Sequence, residues 1–414
     1  MTEQPTSPES HSPAPTQFEI QGGLERNGDS SAPPPRSLRE LIDRVSGRGI
    51  KTHLAKEDSG LVEVLPFPFL ALVGQQEMKL ALLLSLINPN VGGVLLIGPR
   101  GTGKTTAVRS LIDILPDVPR SLCFYGCLPE DIETGGIDSV CPDCAQKFAE
   151  GQALTRMDRV RLVELPLNAE MEDVVGGLDE RAALHERLRI RRGLLAQSDR
   201  NILYVDEVNL LNDEIVDAIL DAAAQGRYTV RRGPVSAVYR ARFTLIGSMN
   251  PEEGRLRPQI LDRFGLRVLV RGLEDIDQRL EAYHLVQAYL TNPRATVASF
   301  ASETDLLRQE IKAARDLVTK VTLPDSVAHL GLDIIRELQI DSLRAEITLF
   351  ESARAHAAAD SRQEVTPEDL HTVAPLALRA RRSSFMVEFF ANQQTEEAEI
   401  RSIIDRVLNH SKEN

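Results

Sequence analysis

The sequence predicts an α/β fold in which a central parallel sheet is followed by an all-helical region. Three observations carry this prediction. The apolar run 94–97 leads into a glycine-rich loop and then into apolar residues at helical spacing, which indicates strand, loop and helix. The apolar runs 202–205 and 243–249 each end at polar residues, as is typical of buried parallel strands. From about residue 272 onward, successive segments show helical periodicity.

Composition excludes several classes of protein. The chain has 414 residues, of which 42% are hydrophobic, and this predicts two or three domains with a real core. No apolar run approaches the ~20 residues that span a bilayer, and the polar N-terminus lacks a signal pattern, so we expect no transmembrane segment and a cytoplasmic location. The net charge of −13 argues against stable nucleic-acid binding.

Changes in composition along the chain predict five parts. Seven prolines and few apolar residues indicate that the N-terminal segment is a disordered tail. The parts are the tail (1–36), a short helix and linker (37–65), the α/β core (66–272), a helical domain (273–382) and a C-terminal extension (383–414). The core contains a cysteine-bearing insertion (about 120–150) and a β-hairpin (about 227–242). The helices predicted for the helical domain are 275–291, 303–321, 325–339, 343–360 and 367–382.

The glycine-rich loop fits G-x-x-x-x-G-K-[ST], the pattern of loops that bind nucleotide phosphates. It consists of Gly98, Pro99, Arg100, Gly101, Thr102, Gly103, Lys104 and Thr105. Glycines allow backbone angles at which successive N–H groups face a phosphate, and the following helix N-terminus favours negative charge. We expect Lys104 to reach the β- and γ-phosphates and the Thr105 hydroxyl to hold Mg²⁺. The loop therefore predicts a nucleoside triphosphate site.

Polar residues at the ends of the next two buried strands predict the hydrolytic groups. Asp206 and Glu207 follow the apolar run 202–205, about 100 residues beyond the loop. In a phosphate-binding enzyme we expect Asp206 to bind Mg²⁺ and Glu207 to polarise the attacking water. Asn250 ends the following strand and is expected to act as a sensor amide beside the γ-phosphate and the water.

Two arginines are candidates for contacts with the transferred phosphoryl group. Arg263 lies on a short predicted helix after the sensor strand, where an arginine finger would reach the nucleotide of a neighbouring subunit. Arg257 is the second candidate for this role, and a structural salt bridge is the alternative for both. Arg344 opens a helix of the predicted helical domain and is a candidate lid sensor.

The four cysteines of the chain lie in one short stretch. Cys123 and Cys127 form C-x3-C, and Cys141 and Cys144 form C-x2-C. Thiolates on two tight turns can share one tetrahedral Zn²⁺, which makes a structural zinc site one interpretation. A redox-sensitive thiol pair and ordinary free thiols are the other two.

The predicted β-hairpin at 227–242 carries five arginines. One interpretation is that they line a pore and grip an acidic partner or nucleic acid. The other is an edge hairpin whose arginines are solvated and form salt bridges between subunits. The sequence leaves both open.

In their order and spacing, these motifs resemble those of AAA+ ATPases. Longer stretches narrow the resemblance to the magnesium chelatase I-subunit family, and it runs over roughly residues 66–382. The stretches that carry it are 73–82, 101–104, 202–211, 250–254 and 256–265. Two departures from the family pattern are Pro99, in place of an acidic residue, and Met249, in place of glycine.

The resemblance implies a P-loop core with a central parallel sheet, a pre-sensor β-hairpin insert and an all-α lid. It further implies an ATP- and Mg²⁺-dependent hexameric ring that works with a D subunit and a porphyrin-binding H subunit. Together these insert Mg²⁺ into protoporphyrin IX, on the way to chlorophyll or bacteriochlorophyll. A MoxR-type chaperone that remodels or metallates another protein shares the same ATPase groups and remains an alternative. A DNA motor is a third class, against which the acidic charge argues.

Overall fold

The computed structural model describes residues 65–123, 125–177, 191–233, 235–254 and 256–382. The predicted tail, nearly all of the helix and linker that follow it, and the C-terminal extension lie outside these residues. Among the described residues, no helix is both long and apolar enough to cross a membrane.

In the described part of the chain, the strands form one large parallel sheet and two short antiparallel pairs. They are β1 (Val94–Ile97), β2 (Val118–Ser121), β3 (Thr155–Asp158), β4 (Leu162–Leu165), β5 (Ile202–Val205), β6 (Arg227–Arg232), β7 (Val235–Arg240), β8 (Thr244–Met249) and β9 (Leu266–Leu269). The large sheet has the order β4-β5-β8-β1-β9, and every pairing in it is parallel. This sheet confirms the predicted α/β fold.

Helices cover the sheet and make up the C-terminal region. They are α1 (Gln76–Ile87), α2 (Lys104–Ser110), α3 (Pro129–Gly135), α4 (Pro142–Ala149), α5 (Met171–Val175), α6 (Leu194–Gln197), α7 (Asp213–Gln225), α8 (Pro258–Arg263), α9 (Ile276–Thr291), α10 (Pro293–Ser299), α11 (Ala301–Val318), α12 (Asp325–Glu337), α13 (Leu343–Ala359) and α14 (Pro367–Leu378). Short 3-10 turns lie at Phe69–Ala71, Pro89–Val91, Leu111–Ile114, Ile137–Ser139 and Val208–Leu210.

Successive residues of the sheet face opposite sides and enter two different cores, because side chains alternate along a strand. Leu203 and Leu245 pack with Phe264 on one side. Tyr204 and Ile246 pack on the other side, in a core that continues into α1 and the C-terminal helices. Both faces are therefore buried, which is why the central strands are apolar runs rather than alternating patterns.

Strand β9 and helix α10 are among the elements that the sequence did not predict. Strand β9 was missed because Arg267 interrupts its apolar run, although this side chain is buried. Its guanidinium donates through Nη1 and Nη2 to the carbonyls of Leu261, Arg379 and Ala380. Helix α10 is only seven residues long and begins at a proline, with the Asn292 side chain accepting from the Ala295 amide.

The cysteine-bearing insertion also has more regular structure than its sequence indicates. β2 and β3 pair antiparallel at its base, and α3 and α4 lie between them. Cys127, Cys144 and Leu154 are the buried residues of a small apolar cluster of its own. Elements this short contain too few turns for a periodicity to be detected.

The first turn of helix α14 contains a buried carboxylate, Asp369, and removal of this carboxylate should destabilise the helical region. Asp369 is fully buried and accepts hydrogen bonds from Arg362 (2.8 Å), the Thr366 amide (2.7 Å) and the Thr366 hydroxyl (3.0 Å), and it contacts His356. Burial opposes ionisation, but these bonds outweigh it and hold the pKa of Asp369 below its usual range. Because the unfolded pKa is about 3.9, the stabilisation is complete at neutral pH and is lost as the pH falls below that value.

We expect Asp369→Ala to lower the free energy of unfolding by about 2–4 kcal/mol, since it removes the buried carboxylate that pairs with Arg362 and caps the helix through the Thr366 amide. Denaturant unfolding at neutral pH measures this. Glu368→Ala is the matched control, because Glu368 is exposed on the same turn and should cost less than about 0.5 kcal/mol. Equal effects of the two substitutions would contradict the assigned role of Asp369.

Candidate functional site

The carboxyl ends of β1, β5 and β8 surround a cavity of about 290 Å³. Parallel pairing places Ile97 opposite Met249 and Val205 opposite Gly247, so the segments after these strands meet at one edge of the sheet. The cavity is lined by Arg100, Gly101, Thr102, Gly103, Lys104, Thr105, Thr106, Asp206, Glu207, Ser248, Met249 and Asn250. The structure therefore brings together nearly all of the phosphate loop, both predicted carboxylates and the predicted sensor.

The phosphate loop requires glycine at two kinds of position. Gly101 and Gly103 have φ of 78° and 84°, in the left-handed region that other residues resist. Gly98 is needed for a different reason, because a Cβ at this position would lie 2.1 Å from the Val270 carbonyl oxygen. The loop backbone can therefore pass close to β9 and then turn its amides toward the cavity.

Lys104 is the first residue of α2, and its side chain is buried inside the loop. Its Nζ donates to the carbonyls of Gly98 (2.8 Å) and Pro99 (2.7 Å). Burial lowers the pKa of Lys104, while the charges of Asp206 and Glu207 oppose this. The ammonium group is thus held at the centre of a loop whose amides favour an anion.

A chain of hydroxyl groups joins the two predicted Mg²⁺ ligands. The Tyr204 hydroxyl donates to Asp206 Oδ1 (2.8 Å) and lies 3.2 Å from Thr105 Oγ1. Ser248 Oγ also donates to Asp206 Oδ1 and accepts from the Glu207 amide (3.1 Å). Burial raises the pKa of Tyr204, so its hydroxyl remains a donor. The carboxylate of Asp206 is therefore fixed in direction beside Thr105.

Sequence reasoning missed Tyr204 and Ser248. Tyr204 precedes Asp206 by two residues, and side chains at this spacing face the same side of a strand, so this neighbour could have been predicted from the sequence. Ser248 reaches Asp206 only because β8 lies next to β5, and this neighbourhood is not visible in the sequence.

Glu207 is held by an arginine of the phosphate loop. Arg100 pairs with Glu207 Oε1 (3.1 Å) and with Glu253 Oε1 (2.6 Å). The hydrogen bond to Glu207 and the charge of Glu253 raise the pKa of Arg100, although this side chain is largely exposed. Glu207 itself has φ of 50°, a left-handed angle that aims its side chain differently from the strand before it. Glu253 is a further residue of the site that was not predicted.

Asn250 is buried at the end of β8 and lines the cavity. Its Oδ1 accepts from the Glu252 amide (3.3 Å), and its carbonyl accepts from the Glu253 amide (3.1 Å). This turn fixes the side chain at the cavity that Glu207 also lines, and its role as a sensor stays a prediction.

The predicted phosphoryl-contacting arginines lie elsewhere in the chain. Arg263 ends α8 and pairs with Asp217 (3.2 Å) and Asp221 (2.9 Å) of α7. Arg257, the second candidate for the finger, pairs with Asp213. Neither arginine lines the cavity of its own chain. An action of Arg263 on a nucleotide therefore requires a second subunit.

Arg344 is also outside the cavity, but it is linked to the helix that carries Arg263. It lies 4.0 Å from Asp262, the residue before Arg263. Asp262 also pairs with Arg381 (2.8 Å) and Arg267 (3.6 Å). Burial lowers the pKa of Arg267 to about 10. These ion pairs join α8 to the C-terminal helices.

The four cysteines meet outside the cavity, in the insertion. The Sγ atoms of Cys123, Cys127, Cys141 and Cys144 all lie within 4.8 Å of one another, and none is in a disulfide. They form a second cluster of potential metal ligands, separate from the cavity.

The hairpin is formed as predicted by β6 and β7, and several of its arginines are paired within the chain. Arg240 pairs with Asp131 (2.7 Å), Arg242 with Glu130 (3.5 Å), and Arg232 lies 3.7 Å from Glu172. Arg227 and Arg231 are exposed. The hairpin is thus anchored to the cysteine-bearing insertion through its second strand.

Comparisons with known proteins agree on one family. Residues 69–259 match a family model described as magnesium chelatase, subunit ChlI, and residues 332–403 match one described as an AAA lid domain. The chain is 43% identical over 322 residues to a magnesium-chelatase subunit ChlI homolog of Methanocaldococcus jannaschii, covering 77% of this chain and 87% of the relative. It is 43% identical over 317 residues to the magnesium-chelatase 38 kDa subunit of Acidiphilium rubrum, covering 76% and 90%. A cryo-EM-based structure of the complex between subunits BchI and BchD of magnesium chelatase is 39% identical, with 78% and 99% coverage and a TM-score of 0.45.

Proposed function

Because the chain belongs to the magnesium chelatase subunit ChlI family, we propose that it is the ATP-hydrolysing motor subunit of a magnesium chelatase. The reaction that it drives is insertion of Mg²⁺ into protoporphyrin IX in chlorophyll or bacteriochlorophyll biosynthesis. The observation that carries the ATPase part is the cavity in which Lys104, Asp206, Glu207 and Asn250 converge. The chelatase part is supported by the names of the relatives.

Each group of the cavity has one role in this proposal. The loop amides and Lys104 bind the phosphates of ATP, and Thr105 and Asp206 hold its Mg²⁺. Mg²⁺ held by these residues would neutralise charge that develops on the β- and γ-phosphates. Glu207 orients the attacking water and accepts its proton, and the Asn250 amide positions the same water. The products are ADP and inorganic phosphate.

The donor set of the cavity fits this metal. Mg²⁺ prefers oxygen ligands, usually one or two carboxylates together with phosphate oxygens and water. Asp206 supplies a carboxylate fixed by the hydroxyls of Tyr204 and Ser248, and Thr105 supplies a hydroxyl on the same side. Tyr204 and Ser248 orient the ligand in the way that outer hydrogen bonds usually orient metal ligands.

The proposal includes assembly, because Arg100, the arginine that lines the cavity, is paired with Glu207 and Glu253, and neither Arg263 nor Arg344 lines it. We place Arg263 at the nucleotide of the neighbouring subunit in a hexameric ring, and Arg344, in a helical lid formed by residues 273–382, at the β- and γ-phosphates. The ring works with a D subunit and a porphyrin-binding H subunit.

Lys104→Ala tests the ATP site directly. We expect it to weaken MgATP binding roughly 10- to 150-fold, which corresponds to the ~1.5–3 kcal/mol of a hydrogen bond to a charged group. Titration calorimetry with a non-hydrolysable ATP analogue measures this. Arg109→Ala is the matched control, because Arg109 lies on the same helix but pairs with Glu164 at the surface, and it should bind as the wild type does. Unchanged binding by Lys104→Ala would contradict the assignment of the cavity.

A test of the chelatase activity requires the partner subunits. Reconstitution with D and H subunits and protoporphyrin IX should give ATP-dependent formation of Mg-protoporphyrin IX. ATP hydrolysis that is never coupled to Mg²⁺ insertion would instead favour a chaperone of the MoxR type.

A further inference from the structure

We propose that Cys123, Cys127, Cys141 and Cys144 bind one structural Zn²⁺ ion, and that this ion fixes the base on which the β6–β7 hairpin rests. The proposal is independent of the chelatase function, because it rests on the insertion between β2 and β3 and not on the ATP cavity.

The four sulfurs lie close enough together to bind one tetrahedral ion. Zinc–sulfur bonds of about 2.3 Å place four tetrahedral thiolates roughly 3.8 Å apart. The four Sγ atoms lie within 4.8 Å of one another, so a small contraction onto a central ion completes the site. All four are thiolate ligands, and a closed Cys₄ set is typical of structural rather than catalytic zinc.

Backbone amides point at two of the sulfurs. The Cys127 amide donates to Cys123 Sγ (3.3 Å), and the Cys141 amide donates to Cys127 Sγ (3.3 Å). Such donors offset the negative charge of metal-bound thiolates and orient them, as outer hydrogen bonds do in metal sites generally. The two turns that carry the cysteines are therefore already folded around a common centre.

The same geometry argues against the other two interpretations of the sequence. A redox pair brings two sulfurs together, whereas here all four are mutually close. Free thiols have no reason to converge from two separate turns. The buried apolar cluster of the insertion is small, comprising Cys127, Cys144 and Leu154, and a core of this size usually needs a metal or disulfides to hold its fold.

The insertion carries the acidic residues that hold the hairpin. Helix α3 begins two residues after Cys127, and its first turn contains Glu130 and Asp131. Asp131 pairs with Arg240 of β7 (2.7 Å), and Glu130 lies 3.4 Å from the same arginine. An ion that fixes the turn before α3 therefore also fixes the anchor of β7.

Metal analysis of the purified full-length chain tests the proposal first. We expect one zinc and no iron per chain by mass spectrometry of metals, and loss of thiol reactivity at all four cysteines until a chelator is added. Because the chain has only these four cysteines, thiol titration reports on this site alone. Replacement by Co²⁺ should give the absorption of tetrahedral thiolate coordination. Three results would each overturn the proposal. They are four reactive thiols with no bound metal, disulfide bonds between the cysteines, and stoichiometric iron.

Two variants separate the metal site from the ATP site. Cys141→Ser combined with Cys144→Ser should lose zinc, and Lys104→Ala should retain it while losing ATP affinity. Chelation and zinc re-addition in the wild type provide the same comparison without a substitution, in case the cysteine variant does not fold. Zinc retained by the double variant would contradict the assigned ligands.

Hydrogen exchange tests the anchoring of the hairpin. Zinc removal should accelerate amide exchange in Val235–Arg240 while leaving β1 unchanged. Asp131→Asn should accelerate exchange in the same strand with zinc still bound, because it removes the charge that pairs with Arg240 at 2.7 Å and leaves the longer contact of this arginine with Glu130 (3.4 Å). The asparagine keeps a side-chain oxygen that can accept from the Leu128 amide, as Asp131 does. Equal exchange in β7 with and without zinc would overturn the structural role proposed for the ion.

Discussion

Arg263→Ala is expected to lower ATP turnover about 10³-fold or more, while leaving MgATP binding and assembly intact. Arginine fingers contribute about 10³–10⁵ to turnover, because they neutralise charge on the transferring phosphoryl group. In its own chain Arg263 is held by Asp217 and Asp221 and does not line the cavity, so its effect must be exerted on a neighbouring subunit. Steady-state ATP hydrolysis, with binding measured separately, gives the result.

Arg257→Ala is the matched control for this prediction. Arg257 immediately precedes the same helix and pairs with another carboxylate of α7, Asp213, so its removal should change turnover far less. Turnover near the wild-type value in Arg263→Ala would remove the finger assignment, and a large loss in Arg257→Ala would transfer the role to that residue.

Mixing two inactive variants tests whether the finger acts between subunits. Lys104→Ala retains Arg263, and Arg263→Ala retains an intact ATP cavity. In a mixed ring, about one interface in four places an intact cavity against an intact arginine. We therefore expect the mixture to recover part of the wild-type activity. A mixture as inactive as its components would contradict an action in trans.

Glu207→Gln is expected to lower turnover about 10²–10⁴-fold without weakening MgATP binding, because it removes the general base but leaves the phosphate contacts. The carboxylate lies on the cavity with Asp206 and Asn250. Single-turnover hydrolysis of bound ATP measures the chemical step and separates it from product release.

Glu253→Gln distinguishes this role from a purely electrostatic one. Both Glu207 and Glu253 pair with Arg100, but only Glu207 directly follows Asp206 at the end of β5. If Glu207 acted only by holding Arg100, the two substitutions would have similar effects. The catalytic assignment predicts a much smaller effect for Glu253→Gln.

The residues that sequence reasoning located share one physical feature. Lys104, Asp206, Glu207 and Asn250 each follow a buried strand closely, and the carboxyl ends of parallel strands meet at one edge of a sheet. Their convergence therefore follows from recognising the strands, without knowing the strand order. The family resemblance added the expected roles of Arg263 and Arg344.

The site residues that were not predicted from the sequence are defined by contacts between segments that are far apart in the chain. Ser248 reaches Asp206 because β8 pairs with β5, and Glu253 reaches Glu207 only through Arg100. Arg267 made β9 hard to predict as a buried strand, because the sequence does not show what a buried arginine would bond to. The carbonyls that accept from its guanidinium include those of residues more than a hundred positions away. A linear pattern contains no information on such partners.

In the cysteine-bearing insertion, too, the sequence did not show which segments come together in the fold. The spacing of its cysteines left zinc, a redox pair and free thiols open, because spacing along the chain does not say which turns meet. Four sulfurs converging on one centre is a property of the folded insertion. The anchoring of β7 to α3 could not be anticipated either, since Arg240 and Asp131 are separated by more than a hundred residues.

The most direct test of the central claim is the rate of Mg²⁺ insertion into protoporphyrin IX, followed by product fluorescence. The full chain is combined with D and H subunits from its own source, with and without ATP, beside parallel assays of Lys104→Ala and Glu207→Gln. We expect ATP-dependent product with the wild type and almost none with either variant. Product formation that is the same with the wild type and Lys104→Ala, or wild-type ATP hydrolysis without any Mg-protoporphyrin IX, would contradict the central claim.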